Sequence, residues 1–300
     1  MDAAIGRAWL SLDGLSVGDA FGERFFTLPE LALERISRRE LPAAPWTYTD
    51  DTEMALSIVE ILIERGSIDQ DLLAKRFADR MQPDRHYGPG TEALLAGLKT
   101  GREWRRLSKS GHGGKGSFGN GAAMRVAPLG AFFGDHGLDI VCEQARLSAE
   151  ITHSHPEGIA GAIAVAVAAA LAWQNRATGP LGPTWIRTVR DAVPRGYTRD
   201  AMGEALAVPP DATIVEAVKA LGNGAGVTAP DTVPLCLRIA AHASDGFENA
   251  LWRTVSALGD RDTTCAIVGG ILALSHERGG IPQRWLQSRE ALPIGPLVGR

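Results

Sequence analysis

Apolar residues recur along this chain at helical spacing, and the strict alternation of a half-buried strand is almost absent. Between residues 51 and 65, Met54, Ala55, Ile58, Val59 and Leu62 share one face, and Gly66 stands where such a helix would stop. The run GIAGAIAVAVAAALAW, 158–173, is apolar all round, and Pro156 suits the first turn of its helix. Further helices are expected over about 212–221, 231–243, 247–257 and 262–277, with Phe247, Leu251, Val255 and Leu258 forming one stripe. The stretch from 276 to 300 reads as one more helix, with Trp285 and Leu286 packed, followed by a loose tail. Two Gly/Pro-rich segments, SGHGGKGSFGNGAAMRVAPLG and LGNGAGVTAPDTVP, lie between apolar segments and read as internal loops, not linkers. No repeat of fixed period is present. The pattern predicts an all-α, compact single-domain helical globule over 1–300, with its polar clusters on loops and helix ends.

Composition narrows this picture. A chain of 300 residues, 45% hydrophobic and 22% charged, can bury a sizeable core and is too apolar for disorder. A net charge of −4 gives no electrostatic reason to expect nucleic acid or an acidic membrane as partner. The three cysteines, Cys142, Cys236 and Cys265, are odd in number and widely spaced, which favours a reducing cytoplasm. The N-terminus lacks a signal-peptide pattern. The 158–173 run is shorter than the ~20 residues of a span, so a buried helix in a soluble protein with no membrane partner is expected.

Five clusters could carry chemistry. Thr49-Asp50-Asp51-Thr52 opens an apolar helix, where Asp and Thr are good caps and negative charge is favoured. A cap needs only one such residue, however, and adjacent ionised aspartates become favourable when a cation lies beside them. Asp260, Arg261, Asp262 and Thr263 open another apolar helix about 210 residues later, again readable as capping with Arg261 neutralising its neighbours. If the two helix starts converge, four carboxylates meet, and hard oxygen ligands of this kind suit Mg²⁺, Mn²⁺ or Ca²⁺. The Gly-rich segment 114–130 is not a P-loop, yet its backbone N–H groups could cradle phosphate, and Phe118 could stack on a base. His153 and His155 precede the Ala-rich helix, either as caps or as substrate contacts. Asp19 and Glu23 lie one helical turn apart on a Gly-rich segment, with a catalytic or a surface position open to them.

Six segments, GLSVGDAFGERF, YTDDTEMAL, GSFGNGAAMRVAPLG, ITHSHPEGIAGA, APDTVPLCLRIAAHASDGFENAL and GDRDTTCAIVGGILAL, occur in one order. In that order the chain, with a core from about residue 5 to 277, resembles the ADP-ribosylglycohydrolase family. That family includes dinitrogenase-reductase-activating glycohydrolases and ADP-ribosylhydrolases. The resemblance implies an all-α globule with two divalent cations, Mg or Mn, at the bottom of a cleft. It assigns Thr49, Asp50, Asp51, Asp260, Asp262 and Thr263 as metal ligands. Ser117, Phe118, Gly119, Asn120 and Gly121 match the loop that holds the ADP part, with Phe118 near adenine. His153 matches a residue beside the nucleotide, and His155 is a further contact.

The implied reaction is hydrolysis of the bond between an ADP-ribosyl group and its acceptor, with Glu23, Asp51 or Asp260 taking the proton from water. Substrates would be ADP-ribose conjugates of proteins or small molecules, and nucleic acid only as a modified substrate. A reader that binds ADP-ribose without cleaving it, a structural descendant, and a hydrolase of another nucleotide are the rival readings. One departure stands out. The family commonly shows Gly-Gly-Asp-Thr-Asp-Thr where this chain has Leu258-Gly259-Asp260-Arg261-Asp262-Thr263. Arg261 would pair with a nearby carboxylate, contact substrate or point outward.

Overall fold

The computed structural model describes residues 2–293 apart from 178, 180 and 276–279. Within them, helical periodicity becomes sixteen α-helices and two 3-10 turns, with no strand. The first four are α1 (Ala3–Glu23), α2 (Pro29–Ser37), α3 (Asp50–Arg65) and α4 (Gln70–Arg80). The middle of the chain forms α5 (Pro89–Lys99), α6 (Trp104–Gly114), α7 (Ala127–Phe132), α8 (Leu138–Glu150) and α9 (Pro156–Asn175). The remainder forms α10 (Pro183–Ala192), α11 (Tyr197–Ala207), α12 (Ile214–Leu221), α13 (Ala229–Ala241), α14 (Phe247–Ser256), α15 (Arg261–Leu272) and α16 (Gln283–Ser288).

The expected helices are present, with their ends set by local chemistry. Gly66 stops α3 with φ 72°, a conformation glycine adopts without steric cost. Thr213 and Glu216 form a capping box, so α12 starts two residues later than the apolar pattern suggests. The helix expected over 262–277 ends at Leu272, and residues 276 and 277 lie outside the described residues. Trp285 is fully buried in α16 and Leu286 is half-buried, while the expected tail, 294–300, is likewise outside them.

Two packing features position the site. Gly14, Gly18 and Gly22 fall every fourth residue on α1 and face α15. A Cβ at any of them would lie well inside van der Waals contact of the carbonyl oxygens of Gly269, Cys265 or Arg261. The two backbones therefore touch, which only glycine allows. The second feature is α9, whose apolar window is 83% buried within the protein, as its small side chains suggest. One hydrophobic cluster links residues from Ala8 to Trp285. Phe21, Phe25, Trp46, Trp252 and Trp285 form its aromatic end, with Phe21 stacked on Trp285 at 4.5 Å.

Candidate active site

The first turn of α3 has orphan N–H groups that an N-cap side chain normally satisfies. Thr49 stands at the cap position, but its side chain makes no capping bond. The acceptor comes from α1 instead. The Asp19 carboxylate accepts from Thr49 N (3.0 Å), Thr52 N (3.0 Å), Thr49 Oγ1 (2.9 Å) and Thr52 Oγ1 (2.5 Å). Asp19 is thus neither on the surface nor free in the cleft: it is wholly buried and clamps α3 to α1. Because it does the capping, Asp50 and Asp51 are released from that task.

A second turn delivers the other half. Leu258 and Gly259, at φ 59° and 60°, reverse the chain just before α15, whose N-cap is Asp260. Asp260 accepts from Asn120 Nδ2 at 2.7 Å, and Asp262 from Thr263 N at 2.8 Å. The two helix starts do converge. Carboxylate oxygens of Asp19, Asp51 and Asp262 lie within 4.8 Å of one another, and Thr263 Oγ1 is 3.5 Å from Asp51 Oδ2. Asp50, Asp260, Asp262 and Thr263 line the floor of a cleft of about 630 Å³, with Thr49 and Asp51 buried beneath it.

Burial raises the carboxyls of Asp50, Asp51, Asp260 and Asp262 above the ordinary range, and for Asp50, Asp51 and Asp262 neighbouring carboxylates add to the effect. Asp19 is pushed up to about 6 by burial, against the pull of its four donors. Among the described residues, no Lys or Arg forms an ion pair with any of these five. Asp51 Oδ1 is buried without a partner. Thr49 Oγ1 has one proton but lies within bonding distance of both Asp19 (2.9 Å) and Asp51 (3.0 Å). Surplus acceptors, scarce donors and the lack of an ion-paired Lys or Arg among the described residues make a donor set that fits hard divalent ions. Asp19 is the least available of the five, because protein donors already occupy it.

Arg261 neither points outward nor, among the described residues, forms an ion pair with a carboxylate, and it does not line the cleft. It is buried, donates to the Phe25 carbonyl oxygen at 2.9 Å, and lies over the Phe26 ring at 5.0 Å. It pins the end of α1 to the start of α15. Glu23, the last residue of α1, is paired with His86 at 3.0 Å, and burial raises its carboxyl while His86 opposes the shift. Through His86 it adjoins the cleft without lining it.

The opposite wall is the loop 117–121, all of whose residues line the cleft. It is held by backbone bonds from Asn120 N to the Val227 carbonyl (3.2 Å), from Ala229 N to the Phe118 carbonyl (3.1 Å) and from His155 N to the Ser117 carbonyl (3.3 Å). The Phe118 ring sits between His112 (5.0 Å) and His155 (5.4 Å). His153 is buried and lines the cleft, and burial pushes its pKa down to about 3, so it is neutral. His155 caps α9, accepting from Glu157 N at 3.1 Å, and stands behind Phe118 outside the cleft lining.

Sequence reasoning missed three features here: the capping role of Asp19, His86, and the Gly88–Thr91 start of α5, which lines the cleft. The Gly-Pro-Gly-Thr run at 88–91 carried a helix-start signal; nothing local marked His86.

Residues 2–296 match the ADP-ribosylglycohydrolase family profile. Human ADP-ribosylhydrolase ARH3 is 32% identical over 276 residues, covering 81% of this chain and 74% of its own. An uncharacterised protein of Archaeoglobus fulgidus is 30% identical over 296 residues, covering 91% of this chain and 88% of its own. Among solved structures, an ADP-ribosylglycohydrolase-related protein complex shares the fold, with a TM-score of 0.65 across 97% of this chain and 94% of that one at 24% identity. The profile match over nearly the whole sequence, together with the motif order, shows that the chain belongs to the ADP-ribosylglycohydrolase family.

Proposed function

We propose that this chain is a hydrolase of the glycosidic bond between an ADP-ribosyl group and its acceptor, working at a centre of two divalent cations, Mg or Mn. The observation that carries the reading is the meeting of two Asp/Thr helix starts at one cleft floor where, among the described residues, no Lys or Arg is ion-paired with them. Thr49, Asp50, Asp51, Asp260, Asp262 and Thr263 would hold the ions. Bound there, the ions supply positive charge that orients ribose hydroxyls and lowers the pKa of a water.

The chain's own residues divide the remaining work. Asp19 fixes the start of α3, and Asn120 fixes Asp260 while anchoring the nucleotide loop. Ser117 to Gly121 would take the ADP part, with Phe118 against the adenine. His153 would donate to the nucleotide, and His155 would act through Phe118. We keep Glu23, Asp51 and Asp260 as the candidate bases: Asp260 lines the cleft floor, Asp51 lies buried beneath it and Glu23 adjoins the cleft through His86, with burial raising the carboxyls of all three.

We also read the chain as one domain, supported by its continuous hydrophobic cluster, and as cytoplasmic, supported by three free thiols. The name of the human relative, an ADP-ribosylhydrolase, makes conjugates of ADP-ribose the first substrates to try. The test measures release of free ADP-ribose from protein, nucleic-acid and small-molecule conjugates with Mg²⁺, with Mn²⁺ and with chelator. Asp260→Asn should lower metal-dependent release at least about hundredfold. Binding of ADP-ribose with no release from any conjugate would replace the hydrolase by a reader of the modification.

A further inference from the structure

Behind the nucleotide loop lies a charged residue that the proposed reaction does not use. Arg125 is wholly buried in the otherwise apolar run GAAMRVAPLG. Its guanidinium lies over the Phe77 ring at 4.6 Å and meets Met54 Sδ at 3.3 Å. Nη2 donates to the Ser148 carbonyl oxygen (3.1 Å) and to Thr152 Oγ1 (2.9 Å). Thr152 Oγ1 is in turn 2.7 Å from His153 Nδ1.

The first member of this chain sets the direction of the rest. A guanidinium only donates, so the Thr152 oxygen accepts from Arg125. The hydroxyl's single proton then needs an acceptor, and among the described residues His153 Nδ1 is the one within reach. An accepting Nδ1 leaves the ring proton of a neutral imidazole on Nε2. Nε2 is the atom turned to the loop, since a Cβ on Gly119 or Gly121 would lie 3.2 or 3.0 Å from it. A second ring proton is disfavoured by burial first, then by the charges of Arg125 and His112. Arg125 keeps its own charge at neutral pH, burial lowering its pKa only to about 9.

We propose that Arg125 and Thr152 are positioning residues that hold His153 as its Nε2–H tautomer, so that it meets the cleft only as a hydrogen-bond donor. The ligand atom it suits is an acceptor oxygen, such as one of a nucleoside diphosphate. A ligand atom that can only donate would find no partner there. The identity of the ligand rests on the ADP-ribosyl reading above, whereas the tautomer does not.

The experiment is NMR of the imidazole nitrogens in the full chain, with His153→Asn to assign the ring, paired with titration of ADP-ribose into metal-loaded protein. Wild type and Thr152→Ser should carry the proton on Nε2. Thr152→Val should let it occupy either nitrogen and weaken ADP-ribose binding at least about tenfold, the loss expected for a hydrogen bond to a charged group. Thr152→Ser should restore binding close to wild type. A proton on Nδ1 in wild type, or Thr152→Val with unchanged tautomer and affinity, would overturn the proposal. The wild-type spectrum decides the tautomer even if Thr152→Val does not fold. An Nε2–H ring in a protein that binds no ADP-ribose would uphold the positioning role and overturn the ADP-ribosyl reading.

Discussion

Stripped of divalent cations, the acidic cluster should contribute less to stability as pH rises from about 4 to 7, where carboxylate ionisation stabilises most proteins. Asp19, Asp50, Asp51, Asp260 and Asp262 all have carboxyls raised by burial. A raised folded pKa means that the native state binds protons the unfolded chain has already released. Its contribution is fully present below the unfolded value of 3.8 and is lost as pH rises through the folded value. For Asp19, at about 6, the loss between about pH 4 and pH 7 is about 2 kcal/mol. The other four carboxyls shift in the same direction and add to it.

His153 works the other way. Its folded pKa of about 3 lies below the unfolded 6.5, so stability falls as pH drops below 6.5. That contribution is common to loaded and stripped protein, and it cancels in their difference. Urea unfolding followed by tryptophan fluorescence, with saturating Mg²⁺ or Mn²⁺ and without, gives this difference at each pH. Metal binding needs the ionised carboxylates, so the stabilisation by metal should be small near pH 4 and should grow toward pH 7 by about 1.4 kcal/mol per pH unit for each proton the metal displaces. A difference independent of pH would refute the reasoning, because the carboxyls would then not be the groups that hold the ions.

Four further outcomes are expected. Gly18→Ala drives a methyl group into the Cys265 carbonyl and should cost about 3 kcal/mol in urea unfolding. Gly6→Ala, with open space around it, should gain up to about 1 kcal/mol by the same measurement. Asp19→Ala leaves two backbone N–H groups and the Thr52 hydroxyl at the start of α3 without their acceptor, while Thr49 Oγ1 can turn to Asp51. In metal-loaded protein its unfolding free energy should fall by about 3 kcal/mol, and no change would show that Asp19 does not hold α3. Arg261→Thr loses the Phe25 carbonyl bond and the Phe26 contact, so thermal unfolding should lose about 1–2 kcal/mol while metal affinity by calorimetry stays unchanged.

Both acidic clusters were legible in the sequence because each joins unusual charge to an apolar helix start, a pairing that stands out against helical periodicity. Their meeting was not legible. It depends on α1 touching α15 through Gly14, Gly18 and Gly22, a contact that leaves only small residues in the sequence as its trace. The role of Asp19 was hidden for a related reason. A cap supplied from another helix has no local spacing to the helix that it caps, so Thr49-Asp50-Asp51-Thr52 read as self-capping. Arg125 and His86 act through neighbours remote in the chain, and neither sits in a pattern that betrays it.

The departure at Arg261 follows from where α15 begins. Asp260 is its N-cap, with a non-helical backbone of φ −87° and ψ 81°, so Asp260 and Asp262 are not spaced by the helical turn and Arg261 between them is free to face elsewhere. Asp260 and Asp262 both line the floor, and Arg261 between them turns to the Phe25 carbonyl. Its charge is spent on a carbonyl at the end of α1, where unsatisfied acceptors make a cation favourable. With arginine at this position both carboxylates still face the cleft. What the arginine changes is the joint between α1 and α15, and through it the anchoring of Glu23, two residues before Phe25.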